Sequence, residues 1–392
     1  MLRIALLFSC AILLYAQEAR DFTPLPGWDN QAVTRVYPKD SGGAVIIGMS
    51  HKKATPPSSA RSTFALWVAE IDLQGDARVI TEVALSPNVV VSDLNFFDNA
   101  FLQTGRDKFS LLLPTGDENL YEIQSLSLET LKSDKQPDVT KVRVRLPKGF
   151  AFGHGGKGSG GMFSATGGKI IVVGLGLDGR SIVALSGSSV DKLEECFRYQ
   201  AQSQLDIVGC FEGALVWENG DLDQFGGGSR KLEGALIGID KAPRPIGLGK
   251  FASINRFKDG FTMLLDRSKI FPQAEYAVYF LTNKLDWADT TVLGTSPLAT
   301  PFSARFVPAS KGKTLVSIVD SKNGIVNLYE LLAGAKEPSL RYRLPIKDVD
   351  AIKGLSPGKD NQNYVVINAR SIQRDGNRVT GISYVIRLLS VD

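Results

Sequence analysis

Two histidines in 392 residues leave few side chains for proton transfer near neutral pH, so their placement matters more than their number. His51 follows the apolar run AVIIGMS and opens the segment HKKATPPSSARST (51–63). His154 lies with Lys157 in the glycine-rich stretch GFAFGHGGKGSGGMF (149–163). A zinc centre needs three or four converging nitrogen or sulfur ligands. The chain has no H-x-H, no H-E-x-x-H and no Cys/His cluster to supply them. That leaves hydrogen bonding to a ligand from one shared surface, or two unrelated exposed loop residues. Glu218, Asp221 and Asp223 form an acidic group in ENGDLDQFGGGSRKL (218–232), which also carries Arg230. Carboxylates so close could hold calcium through oxygen, but the spacing is not that of an EF-hand loop, and a solvated loop reads as well.

Two glycine patterns invite a nucleotide and fail on context. Gly174, Gly176 and Gly179 in IIVVGLGLDG match G-x-G-x-x-G directly after a strand-like run. That chemistry requires a helix next, with its N-terminus facing the pyrophosphate. Here RSIVALSG follows, which reads as a second strand after an Asp-Gly turn. Gly153, Gly155 and Gly158 repeat the spacing, but Lys157 precedes a glycine and not Ser or Thr, so no Walker loop forms. No catalytic residue is assigned from the sequence, and no cofactor.

The elements that must hold these residues follow from a repeat. Runs such as AVIIG (44–48), SLLLP (110–114), IIVVG (170–174), GALVW (213–217), TMLLD (262–266), TLVSIV (314–319) and YVVIN (364–368) are each followed by a turn and a second apolar run. The second runs are LWVAEIDL (66–73), LYEI (120–123), IVALSG (182–187), LIGID (236–240), VYFLT (278–282), LYELL (328–332) and YVIRLL (384–389), a mean spacing of about 53 residues. Short β-branched runs bounded by Gly, Pro, Asn and Asp are strands. Outer strands fit at 77–85, 141–146, 289–294 and 339–345, and inner ones at 32–37, 92–97 and 302–307. The stretch SSVDKLEECFRYQAQ (188–202) fits either a short helix or the third unit's outer strand.

Four strands per unit, seven times, predict an all-β protein: a seven-bladed β-propeller of four-stranded antiparallel blades. The chain resembles the broad class of secreted bacterial seven-bladed propellers over nearly its whole length, by architecture and without a family motif. In a four-stranded meander the second-to-third turn and the blade-to-blade connection fall at one end of the sheet. The expectation is therefore a single loop face carrying His51, His154, Lys157, Glu218, Asp221, Asp223 and Arg230, together with the segment RSIQRDGNRV (370–379). Basic residues outnumber acidic ones there only modestly, so an anionic ligand is weakly favoured.

Composition sets the remaining bounds. With 43% apolar residues, 22% charged residues and a net charge of +4, the chain is neither disordered nor a nucleic-acid or anionic-lipid binder by bulk charge. The opening MLRIALLFSCAILLYAQEA has one positive charge, a short apolar run and small residues at Ala16 and Ala19. That is the pattern of a secretory signal cleaved after one of them, too short to span a bilayer. The expected organisation is a signal peptide over 1–19, a lead-in over 20–30 and one propeller over 31–392. The expected setting is secreted or periplasmic, as a monomer not integral to the membrane. Cys196 and Cys210 remain after processing; they either pair across a loop that would contribute about 3 kcal/mol or stay separate thiols. The function expected is binding of a protein, glycan or small ligand at the loop face. The alternative is a hydrolase, lyase or oxidoreductase whose site is assembled from loops of several blades.

Overall fold

The computed structural model describes residues 19–28, 30–52, 63–84, 101–105, 108–115, 117, 119–127, 140–152, 162–220, 231–248, 250–266, 275–295, 304–309, 313–320, 324–331, 338–346, 348–375 and 378–391. The chain enters on β1 (Ala19–Phe22), which belongs to the last blade, and then builds the ring in sequence order. The first blade is β2 (Asn30–Pro38), β3 (Ala44–Lys52), β4 (Thr63–Ile71) and β5 (Ala77–Ala84). The second is β6 (Phe101–Gly105), β7 (Lys108–Pro114), β8 (Leu120–Ser127) and β9 (Thr140–Arg145). In the third, the inner strand is split into β10 (Phe150–Ala151) and β11 (Met162–Thr166), both paired with β12 (Lys169–Gly176), followed by β13 (Ser181–Gly187) and β14 (Glu194–Gln200). The fourth is β15 (Leu205–Phe211), β16 (Ala214–Asn219), β17 (Lys231–Leu236) and β18 (Arg244–Leu248). The fifth is β19 (Lys250–Phe257), β20 (Gly260–Asp266), β21 (Glu275–Leu281) and β22 (Trp287–Thr295). The sixth is β23 (Ala304–Val307), β24 (Thr314–Asp320), β25 (Ile325–Leu331) and β26 (Ser339–Leu344). The seventh is β27 (Val349–Pro357), β28 (Asn363–Asp375) and β29 (Arg378–Val391), with β1 outermost. This is the seven-bladed propeller the repeat predicts.

One sheet cannot cover both of its apolar faces, so each blade packs on the next. Ile46 and Trp67 meet Val366 and Ile386 where the first blade touches the seventh. Leu111 and Ile123 of the second blade share a cluster with Val68 of the first and Val172 of the third. Trp217 packs with Ile171 and Phe197, Val216 with Met263, Leu264 with Val316, and Val326 with Ile352. Each fully buried aliphatic side chain contributes about 2 kcal/mol, and the clusters run around the ring without a gap.

Closure uses β1. Ala19 to Phe22 pair antiparallel with Leu389 to Ile386, and the Phe22 ring meets the Trp67 indole edge-on at 6.0 Å. Residues 19–22, expected as part of a signal and a lead-in, are thus the fourth strand of the last blade. Other differences are local. The ambiguous stretch 188–202 contributes the outer strand β14. The third strand of the fourth blade is β17, and LIGID falls mostly in the turn after it. There the Asp240 carboxylate accepts from the Leu236 N–H at 2.8 Å, which ends the strand. Residues 370–379, expected as a loop insertion, mostly extend β28 and β29 as a long hairpin. The expected inner strand at 92–97 lies outside the described residues. Among the described residues no helix is long and apolar enough to cross a membrane.

Candidate functional site

Strand direction decides which loops share an end. β18 ends at Leu248 and β19 starts at Lys250, so the exit of one blade and the entry of the next lie together. The turn between the second and third strands of each blade falls at that same end, because the meander reverses twice. The opposite end carries two tight hairpins as well as longer connections such as that from Ser127 to Thr140. Gly167–Gly168 and Glu212–Gly213 turn in two residues with φ of 53° and 76°, and of 46° and 85°, the left-handed pairs of a type I′ hairpin.

His51 stands near the end of β3, opposite Asn30 and Phe64, and its ring stacks on Phe64 at 4.8 Å with 26° between planes. It is half-buried and belongs to the loop end. Glu218 lies on β16, not in a solvated loop as expected; it is 4% exposed and directly opposite Asp206 on β15. Two carboxylates on facing positions of one sheet surface repel unless other groups offset them, and both have further contacts within the fold. His51 and Glu218 share the loop end but sit in the first and fourth blades, which are not neighbours. His154, Lys157, Asp221, Asp223 and Arg230 lie outside the described residues. Cys196 and Cys210 are free, the separate-thiol alternative. Cys196 is exposed on the outer strand of the third blade and donates to the Ala184 carbonyl at 3.4 Å. Cys210 is on the inner strand of the fourth, where burial pushes its thiol up to about 12.

The glycine-rich stretch has an attachment that sequence reasoning missed. Five inner strands carry a bulge: β2 between Val33 and Arg35, β6 between Gln103 and Gly105, β15 between Ile207 and Gly209, β19 between Phe251 and Ser253, and β27 at two points, between Val349 and Ala351 and between Ile352 and Gly354. In the first blade the bulge faces Gly48 and Ile47 of AVIIG. In the third, Ala151 pairs with Leu175 and Met162 with Val173, so residues 152–161 depart opposite Gly174 of IIVVG. The insertion therefore grows where the first blade merely bulges. Its first residue is held from the preceding blade. The Phe152 N–H donates to the Tyr121 hydroxyl at 2.5 Å, and that hydroxyl donates to the Phe152 carbonyl at 3.2 Å. Tyr121 is buried, and its ring meets Phe152 edge-on at 5.7 Å.

A second set surrounds the base of the 221–230 connection. Glu233 Oε2 accepts from Trp217 Nε1 and Asn219 Nδ2, both at 2.9 Å, and from the Tyr199 hydroxyl at 3.4 Å. Burial, with Glu233 beside it, pushes the Tyr199 phenol above its usual range. Nearby, the Asp178 carboxylate accepts from the Arg180 N–H at 2.9 Å and from Ser181 Oγ, which holds it below the usual carboxylate range. These groups are engaged with one another, so they shape the loop end. Among the described residues no three His, Cys, Asp or Glu converge as metal ligands.

The fold and this end define a seven-bladed propeller closed by its N-terminal strand. No family model and no curated protein matches the chain. Solved structures do. The chain is similar to an acylaminoacyl peptidase from Pyrococcus horikoshii, at TM-score 0.51 and 10% identity, covering 92% of this chain and 52% of that one. It spans about half the length of that peptidase. It is also similar to the β-propeller domain of the Trilobed protease from Pyrococcus furiosus, at TM-score 0.46 and 9% identity over 91% and 94% of the two chains. A hypothetical selenium-binding protein from Sulfolobus tokodaii gives TM-score 0.46 and 12% identity, over 88% and 83%. At such identities the likeness is one of fold alone.

Proposed function

We propose that the chain is a binding module that works outside the cytoplasm, taking a protein, glycan or small ligand at the loop end of the disc. One observation carries the reading: the connections 153–161 and 221–230 leave from the same end as His51. Loops held on a rigid scaffold are where recognition residues gather. On this reading His51, His154, Lys157 and Arg230 donate to the ligand, and Asp221 and Asp223 accept from it, while Glu218, 4% exposed, stays within the blade. The export half rests on the N-terminal sequence. Cleavage after Ala16 suits it better than cleavage after Ala19, because Ala19 pairs with Leu389 in the closing strand.

The test is a thermal-shift screen of the chain from Gln17 onward against metals, nucleotides, sugars and peptides. The expected result is a rise in Tm with one ligand class that Lys157→Ala and Arg230→Ala abolish and Lys258→Ala, at the opposite end, leaves intact. A ligand whose shift survives both loop-end variants contradicts the reading. N-terminal sequencing of the exported protein should begin at Gln17.

A further inference from the structure

The outer edge of a sheet exposes unpaired N–H and C=O groups, and proteins spoil it with bulges, charges or short strands. Five of the seven outer strands carry a bulge: β5 at Ile80, β14 at Cys196, β18 at Ile246, β22 at Ala288 and Leu293, and β26 at Arg341. A bulge interrupts the ladder and bends it away from any added strand. β1 is regular but only four residues long. β9 (TKVRVR) pairs with β8 without a break from Thr140 to Arg145. Among the described residues no strand pairs with its outer edge.

What guards this edge is charge of one sign. Lys141, Arg143 and Arg145 alternate along β9 with Val142 and Val144. The three bases are exposed and share one face, since successive strand residues point to opposite sides. Lys141 lies 3.9 Å from Glu122, while Arg143 and Arg145 make no ion pair among the described residues. Arg145 donates to Asn119 Oδ1 at 2.9 Å. Val144 turns the other way and joins Tyr121, Leu146 and Leu185 in the core cluster that runs into the third blade. On that side the second and third blades part into an open groove of about 760 Å³, lined by Leu146, Pro147, Leu185 and Leu193.

We infer that β9 takes an extended acidic peptide segment of another protein as a fifth strand of the second blade. The alternation along β9 dictates the pattern of that segment: acidic residues at every second position against Lys141, Arg143 and Arg145, with apolar residues between them on the groove side. Main-chain hydrogen bonds to the free edge give the affinity, and the alternate side chains give the specificity. A second copy of this chain does not fit. The register that keeps bases and valines on their own faces sets Lys141, Arg143 and Arg145 against one another, which is unfavourable. A flexible polyanion would neutralise the bases but leave the edge unpaired and the groove empty. This surface lies on the rim of the disc and is independent of the reading of the loop end.

The experiment is fluorescence anisotropy of the chain from Gln17 onward with labelled octapeptides: alternating Glu-Val, alternating Lys-Val, and the Glu-Val residues rearranged into two blocks. The expected result is binding of the alternating Glu-Val peptide alone, weakened at least about tenfold by Arg143→Glu and unchanged by Arg78→Glu on the bulged edge of β5. Of two such peptides N-methylated on the glutamates or on the valines, one should fail to bind, because only one set of N–H groups faces β9. Unchanged far-ultraviolet dichroism shows that the variant folds; should Arg143→Glu not fold, Lys141→Glu makes the same test. No binding of the alternating peptide overturns the inference, as does binding that survives both glutamate variants. Equal binding of the block peptide, or of both N-methylated forms, overturns it too and assigns the bases to anions in general.

Discussion

The first and third blades meet the same difficulty at the same place and answer it with different side chains. In both, the inner strand loses its regular ladder opposite the fifth residue of the next strand's apolar run, Gly48 or Gly174. In both, the preceding blade supplies the lost hydrogen bonds. Asn368 of β28 accepts from the Val33 N–H and donates to the Val33 carbonyl, both at 2.9 Å, and it is buried. Tyr121 of β8 does the same for Phe152 with one hydroxyl, at 2.5 and 3.2 Å. The amide offers a separate atom for each bond; the hydroxyl must serve both. The first arrangement seals a bulge at the ring's closing junction. The second ties Phe152, where the inner strand of the third blade breaks, to the preceding blade.

The comparison breaks or sharpens under substitution. The largest effect is expected from Asn368→Leu, which strands two buried backbone groups at the closing junction and should cost about 4 kcal/mol in urea denaturation. Gly48→Ala comes next, at about 3 kcal/mol. An added Cβ there lies 2.0 Å from the Trp67 ring and 2.5 Å from the Ala32 carbonyl, neither of which can swing away. Tyr121→Phe should cost about 2 kcal/mol, since the second of its bonds is already long. Gly174→Ala should cost about 1 kcal/mol, because its Cβ meets Leu146 Cδ1 at 2.8 Å, the end of a rotatable side chain. Equal losses for Asn368→Leu and Tyr121→Phe would erase the distinction drawn between amide and hydroxyl. The smallest effect belongs to Asp178, in the turn after Gly176. Its carboxyl is held low chiefly by the Arg180 N–H. A depressed native value contributes stability above the unfolded value of about 4, lost as pH falls through the native one. Asp178→Asn should lower stability slightly at pH 7, flatten that acid limb of the stability–pH curve, and make no difference once the pH is below the native value.

Much of the ring is written in local pattern, and the functional end is not. Runs such as AVIIG and IIVVG announce strands because β-branched residues bounded by glycine have few other homes. The fourth blade's LIGID misleads for a physical reason: Ile237 is buried and Ile239 exposed, which imitates strand alternation inside a turn set by Asp240. The closing strand ARDF is too short and too polar to be seen as a strand, and it gains its partner only when the two ends of the chain meet. Glu218 was legible as a loop-end residue, but its burial opposite Asp206 depends on register. The caps are the least legible. Asn368 and Val33 are 335 residues apart, and Tyr121 and Phe152 are 31 apart in different blades. No spacing rule connects them.

The claim at the centre is that a side chain from the preceding blade replaces the ladder where the inner strands of the first and third blades break. Amide hydrogen exchange resolved to Val33 and Phe152 tests it most directly. Both amides should be protected in the unaltered protein. Asn368→Leu should speed exchange at Val33 and leave Phe152 protected, and Tyr121→Phe should do the reverse. Protection at both sites that survives both substitutions would contradict the account.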